Sequence, residues 1–269
     1  MHRIAFEFGP LTVTWYGILV ASGFLLGLWT ASRRALRDNI DPEKIFDLGT
    51  WLLVGTIVGA RAMYVTTYWK EEFAGKPFSE IFMVQHGGIV FYGGFIGASL
   101  ACMLFAWRKH LPLWRLADIL APSIALGSFV GRYGCLMNGC CYGRPTDLPW
   151  AIHFPPDHET HGIGVHPTQI YDSTLNLILY AFLAWLFRRK KFDGQVFATY
   201  LIAYAVLRSF VELFRGDYTP VHYLGPLTPA QLVSIGIVAA GIILLVKLPR
   251  RKAESPNLAK PTVAGKVQA

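Results

Sequence analysis

Three arginines interrupt stretches of sequence that are otherwise apolar: Arg61, Arg132 and Arg208. A cation at the centre of a bilayer costs about 2.5–3.5 kcal/mol on insertion scales. A chain that places three of them in membrane-length segments needs them there, and holding an anion is the use that fits. In a membrane the abundant anion is a lipid phosphate. Arg132 opens the most polar of these neighbourhoods, Gly131-Arg-Tyr-Gly-Cys-Leu-Met-Asn-Gly-Cys-Cys-Tyr-Gly143. Its glycines permit tight turns and close backbone approach. The guanidinium is a planar fork of donors that matches phosphate oxygens, and the Asn138 amide both donates and accepts. Tyr204, Arg208 and Glu212 recur at i, i+4 and i+8 and share one helix face. There Glu212 either orients or simply neutralises Arg208. Arg61 is equally consistent with a packing or interfacial arginine that snorkels outward.

The cysteines divide into two groups. Cys102 sits in an apolar segment and reads as inert packing. Cys135, Cys140 and Cys141 cluster in the Arg132 neighbourhood. Two are adjacent and no close histidine pair follows, so the spacing is not a standard zinc pattern, and neither metal nor other cofactor is expected. In an oxidising compartment a local Cys135–Cys140 or Cys135–Cys141 disulfide is expected. A free thiolate beside Arg132 would instead have a lowered pKa and raised reactivity.

The elements that must position these residues are membrane helices. Of 269 residues, 53% are hydrophobic and 16% charged, against about 25% charged in soluble domains. Mean hydropathy is +0.38. Seven apolar stretches, roughly 12–32, 45–69, 88–107, 114–134, 167–187, 195–214 and 228–248, each reach the ~20 residues that cross a bilayer. An all-α, seven-span integral membrane protein is therefore expected. Basic residues concentrate in alternate connections: Arg33, Arg34, Arg37 and Lys44, then Arg108, Lys109 and Arg115, then Arg188 to Lys191, then Lys247 to Lys252. By the positive-inside rule the N-terminus is outside and the C-terminus cytoplasmic. A polar loop at about 135–166 then faces outward, and a loop of that length is often functional. Because Arg33-Arg34 follow the first apolar stretch, it does not read as a cleaved signal. Gly23/Gly27, Gly55/Gly59, Gly93/Gly97 and Gly127/Gly131 have the spacing that lets helices approach closely in lipid. Residues 1–252 form one membrane domain, and the polar tail 253–269 is expected to be disordered. The net charge of +8 lies in short loops without the aromatic interleaving of single-strand binders, so no nucleic-acid partner is expected.

The Gly131–Gly143 segment resembles the signature of the prolipoprotein diacylglyceryl transferases, Gly-Arg-x-Gly-Asn-Phe-x-Asn-x-Glu-x-x-Gly. It matches at Gly131, Arg132, Gly134, Asn138 and Gly143, and departs at Cys135, Leu136 and Cys140. Trp15-Tyr16-Gly17, Gly59-Ala-Arg61-Ala-Met-Tyr64, His166-Pro-Thr-Gln-Ile-Tyr171 and Arg208-Ser-Phe-Val-Glu212-Leu-Phe-Arg215 resemble further family motifs in the same order. Where the family has a histidine proposed to move a proton, this chain has Tyr92. Tyrosine, with a reference pKa near ~10, is the poorer base.

The resemblance implies transfer of the diacylglyceryl group of phosphatidylglycerol to the lipobox cysteine of a prolipoprotein signal peptide. A thioether forms and glycerol phosphate leaves, beside the lipid bilayer of the bacterial inner (cytoplasmic) membrane. It assigns Arg132 and Arg208 to the phosphodiester. Tyr92 and Glu212 join them as catalytic candidates; Tyr16, Arg61, Asn138, Gly143, His166 and Tyr204 are headgroup contacts. Gln169 and Tyr171 read as structural or headgroup-contacting residues, and His86 as a lesser candidate base. A local disulfide then stands in for the family's Asn and Glu at Cys135 and Cys140. Two other readings remain open: a membrane thiol–disulfide oxidoreductase built on the cysteines, and a lipid-binding or transport paralogue without chemistry.

Overall fold

The computed structural model describes residues 4–9, 11–83, 87–218 and 228–250. His86 and the tail from Ala253 lie outside the described residues. Seven long α-helices occupy the seven apolar stretches: α1 Trp15–Ala35, α2 Pro42–Thr67, α3 Phe91–Arg108, α4 Leu113–Asn138, α5 Thr168–Phe187, α6 Gln195–Glu212 and α7 Pro229–Lys247. Six of these are long and apolar enough to cross a membrane. The exception is α6, which carries Arg208 and Glu212 in its last two turns. The helices expose large apolar side chains outward, among them Leu25, Val58, Phe95 and Ile178, as a lipid-facing bundle requires. The chain is an all-α integral membrane protein in architecture.

Four boundaries differ from the sequence reading. Residues 4–14 form an antiparallel hairpin, β1 Ile4–Phe8 with β2 Leu11–Thr14, so the first helix starts at Trp15 rather than 12. Thr14 ends the strand and caps the helix, its Oγ1 accepting from the Gly17 N–H at 3.2 Å. The third helix starts at Phe91 because Gly87 and Gly88 adopt φ of 87° and 77°, outside helical space. The fourth helix continues to Asn138, so half of the signature segment is helical. It stops at Gly139, which takes φ 78°, the left-handed C-terminal cap that favours glycine. The polar loop consequently begins at residue 139, and carries a second small hairpin, β3 Ile152–His153 with β4 Gly164–Val165.

Glycines fix which helices touch. A methyl group on Gly23 would lie 2.9 Å from the Gly127 carbonyl oxygen, and one on Gly55 2.6 Å from Ala101 Cβ. Gly59 and Gly93 would collide with each other's carbonyls. These contacts pack α1 antiparallel to α4 and α2 antiparallel to α3. Gly131 is the exception to the packing pattern: a methyl there meets nothing within 4 Å. The starts of α1, α3 and α5 and the ends of α2, α4 and α6 share one end of the bundle.

The opposite end is closed by ions. Lys190 Nζ lies 2.6 Å from Asp38, 3.3 Å from Asp118 and 3.5 Å from Asp193. Asp118 is wholly buried. Its carboxylate also accepts the Gly194 and Phe197 N–H groups at 2.8 and 2.9 Å, capping the start of α6 from α4. A helix N-terminus is a favourable place for an anion, and here one carboxylate serves both the helix and the lysine.

Candidate functional site

Two arginine–carboxylate pairs lie toward the same end of the bundle, one joining α4 to α5 and one within α6. Arg132, two turns before the end of α4, places Nη2 2.7 Å from Asp172 Oδ2. The other carboxylate oxygen accepts from Asn176 Nδ2 at 2.7 Å, one turn further along α5. Asp172 and Asn176 are both buried. The carboxylate is thus fixed from one side and fixes Arg132 from the other. Tyr204, Cys135 and Cys141 lie within electrostatic reach of the same guanidinium, and so does Tyr16. Tyr204 stacks on Tyr200 with centroids 5.6 Å apart.

Arg208 and Glu212 form the second pair, as their one-turn spacing predicts. Nη1 approaches Oε2 to 2.5 Å, but the angles do not make a hydrogen bond, and both atoms are buried without a hydrogen-bond partner among the described residues. The two buried atoms are therefore matched by charge, each against the other. Glu212 Oε1 accepts from Thr228 Oγ1 at 3.4 Å. Two half-buried cations, each matched by one carboxylate, keep the site near neutral while leaving guanidinium donors for a phosphate.

Above Arg132 the chain turns back sharply. After Gly139, the Cys140 N–H donates to the Cys135 carbonyl at 3.1 Å. Cys141 then adopts φ 62°, a conformation costing a non-glycine residue about 1–2 kcal/mol. It is held there by the start of α5. Thr168 Oγ1 donates to the Cys141 carbonyl at 2.6 Å and Gln169 Nε2 to the Cys140 carbonyl at 2.8 Å; both side chains are buried. The His-Pro-Thr-Gln segment therefore acts by clamping the cysteine turn. The three sulfurs come within 4.8 Å of one another and all are free thiols, with no disulfide formed. The Cys140 thiol donates to the Cys135 carbonyl at 3.7 Å. The neighbouring Cys135 and Cys140 side chains, with Arg215 and Arg132 nearby, push the Cys141 thiol below the ordinary thiol range. The turn borders a cavity of about 510 Å³ lined also by Asn138, Asp157, Glu159 and Asp217.

The remaining predicted residues sit at the same end in other roles. Gly143 is pinned between two backbones: its N–H donates to the His166 carbonyl at 2.9 Å, and the Arg144 N–H to the Phe214 carbonyl at 2.8 Å. A methyl on Gly143 would lie 2.7 Å from both carbonyl oxygens. His166 meets Tyr171 Oη at 3.3 Å and packs against Phe214; no hydrogen bond or ion pair joins it to either arginine among the described residues. Arg61 is buried and donates to the carbonyls of Glu80, Ile81, Gly87 and Gly88 at 2.7–3.0 Å. It therefore ties the α2–α3 connection together. Tyr92 is 67% exposed, with a ring contact to Phe91 and no hydrogen bond among the described residues. Sequence reasoning misses Asp172 and Asn176, although a carboxylate inside an apolar helix is as costly as an arginine and carries the same signal.

Comparison with known proteins is consistent with this geometry. The profile of a family described as "Prolipoprotein diacylglyceryl transferase" matches residues 3–247. A phosphatidylglycerol–prolipoprotein diacylglyceryl transferase from Synechococcus elongatus is 40% identical over 269 aligned residues, covering 96% of this chain and 91% of the relative. A protein of the same name from Finegoldia magna is 40% identical, covering 93% of this chain and 97% of its own length. One from Bacillus cereus is 38% identical, with 91% and 92% covered. The chain belongs to the prolipoprotein diacylglyceryl transferase family.

Proposed function

We propose that the protein transfers the diacylglyceryl group of phosphatidylglycerol to the cysteine thiol of prolipoproteins, forming a thioether and releasing glycerol phosphate. The observation that carries this reading is the pair of half-buried arginines on α4 and α6, each balanced by one carboxylate. The nucleophile belongs to the substrate. The protein's work is to hold the phosphodiester, stabilise charge on the departing phosphate and receive the thiol. Arg132 and Arg208 do the first two. Charge-assisted bonds are about twice as strong as neutral ones and gain further where water is excluded. Glu212 and Asp172 aim the guanidinium groups. Tyr16, Tyr204 and Asn138 hydrogen-bond the headgroup, and Tyr92 does so from the start of α3 rather than acting as a base. Gly143, His166 and Arg61 keep the backbone around the site in place.

In this reading all seven helices span the bacterial inner membrane, with the site end facing outward and the basic turns in the cytoplasm. Purified protein incubated with phosphatidylglycerol and a lipobox peptide should yield a peptide heavier by one diacylglyceryl group. Unchanged peptide, under conditions where a family relative succeeds, would reject the assignment.

A further inference from the structure

The backbone of the cysteine turn is closely constrained. Cys135 is on the last turns of α4, and Cys140 and Cys141 are folded back over it by the left-handed Gly139. Adjacent cysteines read as a poor metal pattern in the sequence. In three dimensions their sulfurs form a triangle with every edge within 4.8 Å. A tetrahedral zinc with Zn–S bonds of ~2.3 Å places its sulfurs about 3.8 Å apart, which small rotamer changes reach. The backbone is held ready: Thr168 and Gln169 fix the carbonyls of Cys141 and Cys140. No fourth His, Cys, Asp or Glu joins the group among the described residues. The nearest histidine in the loop is committed elsewhere, with His158 Nε2 on the Gly139 carbonyl and Nδ1 on Thr160. The adjoining cavity is lined by Asp157, by Glu159, which accepts from Tyr142 Oη, and by Asp217, which pairs with Arg215.

We propose that Cys135, Cys140 and Cys141 form a three-thiolate zinc site whose fourth position is open to the thiol of the acceptor peptide. Three protein ligands with one open position is the arrangement of a zinc centre that acts on a substrate, and a thiol bound to zinc is deprotonated. The second half of the proposal rests on the transferase reading above. The acceptor S–H gives its proton to water in the cavity as the sulfur joins the zinc. That sulfur then forms the S–C bond to the glyceryl carbon while the C–O bond to phosphate breaks, and the electron pair leaves on the phosphate beside Arg132. Zinc changes neither oxidation state nor electron count. The thioether product has lost the anionic charge that held it, and departs. Such a site supplies the thiol activation that Tyr92 is poorly suited to provide.

The test uses full-length protein, purified with reductant and without oxygen. Metal analysis after zinc loading and dialysis should find about one zinc per chain. Cys135→Ser, Cys140→Ser and Cys141→Ser should each reduce that at least tenfold, and Cys102→Ser should not. Cobalt in place of zinc should show a thiolate-to-metal charge-transfer band and tetrahedral d–d bands. These should shift when a lipobox peptide is added, but not with its Cys→Ser counterpart. The readouts need no turnover, so they stand apart from failure of the transferase assay. Fully reduced wild-type protein that keeps no zinc overturns the metal site. Bound cobalt whose spectrum ignores the cysteine peptide overturns the acceptor position.

Discussion

Arg132 and Arg208 do different things from Arg61, and the difference lies in their partners. Arg61 meets four backbone carbonyls, so it is fully used by the protein itself. Arg132 and Arg208 each meet one carboxylate. Arg132→Lys keeps the charge but loses the fork, and is expected to lower transfer at least tenfold in a phosphatidylglycerol-dependent assay, since a point charge cannot make the bidentate contact. Asp172→Asn, which keeps shape while releasing Arg132, should lower transfer about tenfold, the effect of one misplaced hydrogen-bonded charge. Tyr92→Phe should lose no more than about tenfold, the value of a single hydrogen bond; a loss of a thousandfold would restore Tyr92 as the proton acceptor. The arginines are legible in the sequence because a charge inside an apolar run is conspicuous. Asp172 carries the same signal, but it lies in the first turns of α5, at the soft edge of an apolar stretch where polar residues are common. The sulfur triangle is not legible, because it depends on one left-handed residue, Gly139, that reverses the chain between Cys135 and Cys140.

Among the elements, six of the seven helices stand out by hydropathy and α6 falls short, while their ends are set by local chemistry that hydropathy averages away. Gly87 and Gly88 delay α3, Gly139 stops α4, and the β1–β2 hairpin takes residues 12–14 out of the first apolar stretch. The connection 139–166 is organised by close backbone contact at Gly143. Gly143→Ala should destabilise the protein by about 1–3 kcal/mol, the usual cost of forcing a methyl into packed surroundings, read as a lower melting temperature in detergent. At the opposite end, Asp118→Asn removes the charge that both caps α6 and meets Lys190. Breaking a buried pair costs about 3–5 kcal/mol. Asp38 and Asp193 still face Lys190, so the expected loss is at the low end, with melting rather than transfer chemistry affected first.

For the molecule as a whole, the bundle gathers the described sequence-predicted site residues at one end and the main basic turns at the other. That division is what a phospholipid-handling site in an oriented membrane protein requires, and the alternation of basic loops along the chain is enough to read it from the sequence. Reporter fusions should place the C-terminus in the cytoplasm and the 139–166 loop outside; the reverse pattern would contradict the orientation. The central claim is that two half-buried arginines hold a lipid phosphodiester while a peptide thiol displaces it. Its most direct test is the intact mass of a lipobox peptide after incubation with phosphatidylglycerol and either wild-type protein, Arg132→Ala or Arg208→Ala, each first shown to be folded. Wild type should add one diacylglyceryl group to the cysteine and none to a serine peptide. Each alanine variant should fall by about 10²–10³-fold or more, as loss of a preorganised charge-stabilising group does. Transfer at near wild-type rate by either variant, or no adduct from wild type itself, would contradict the account.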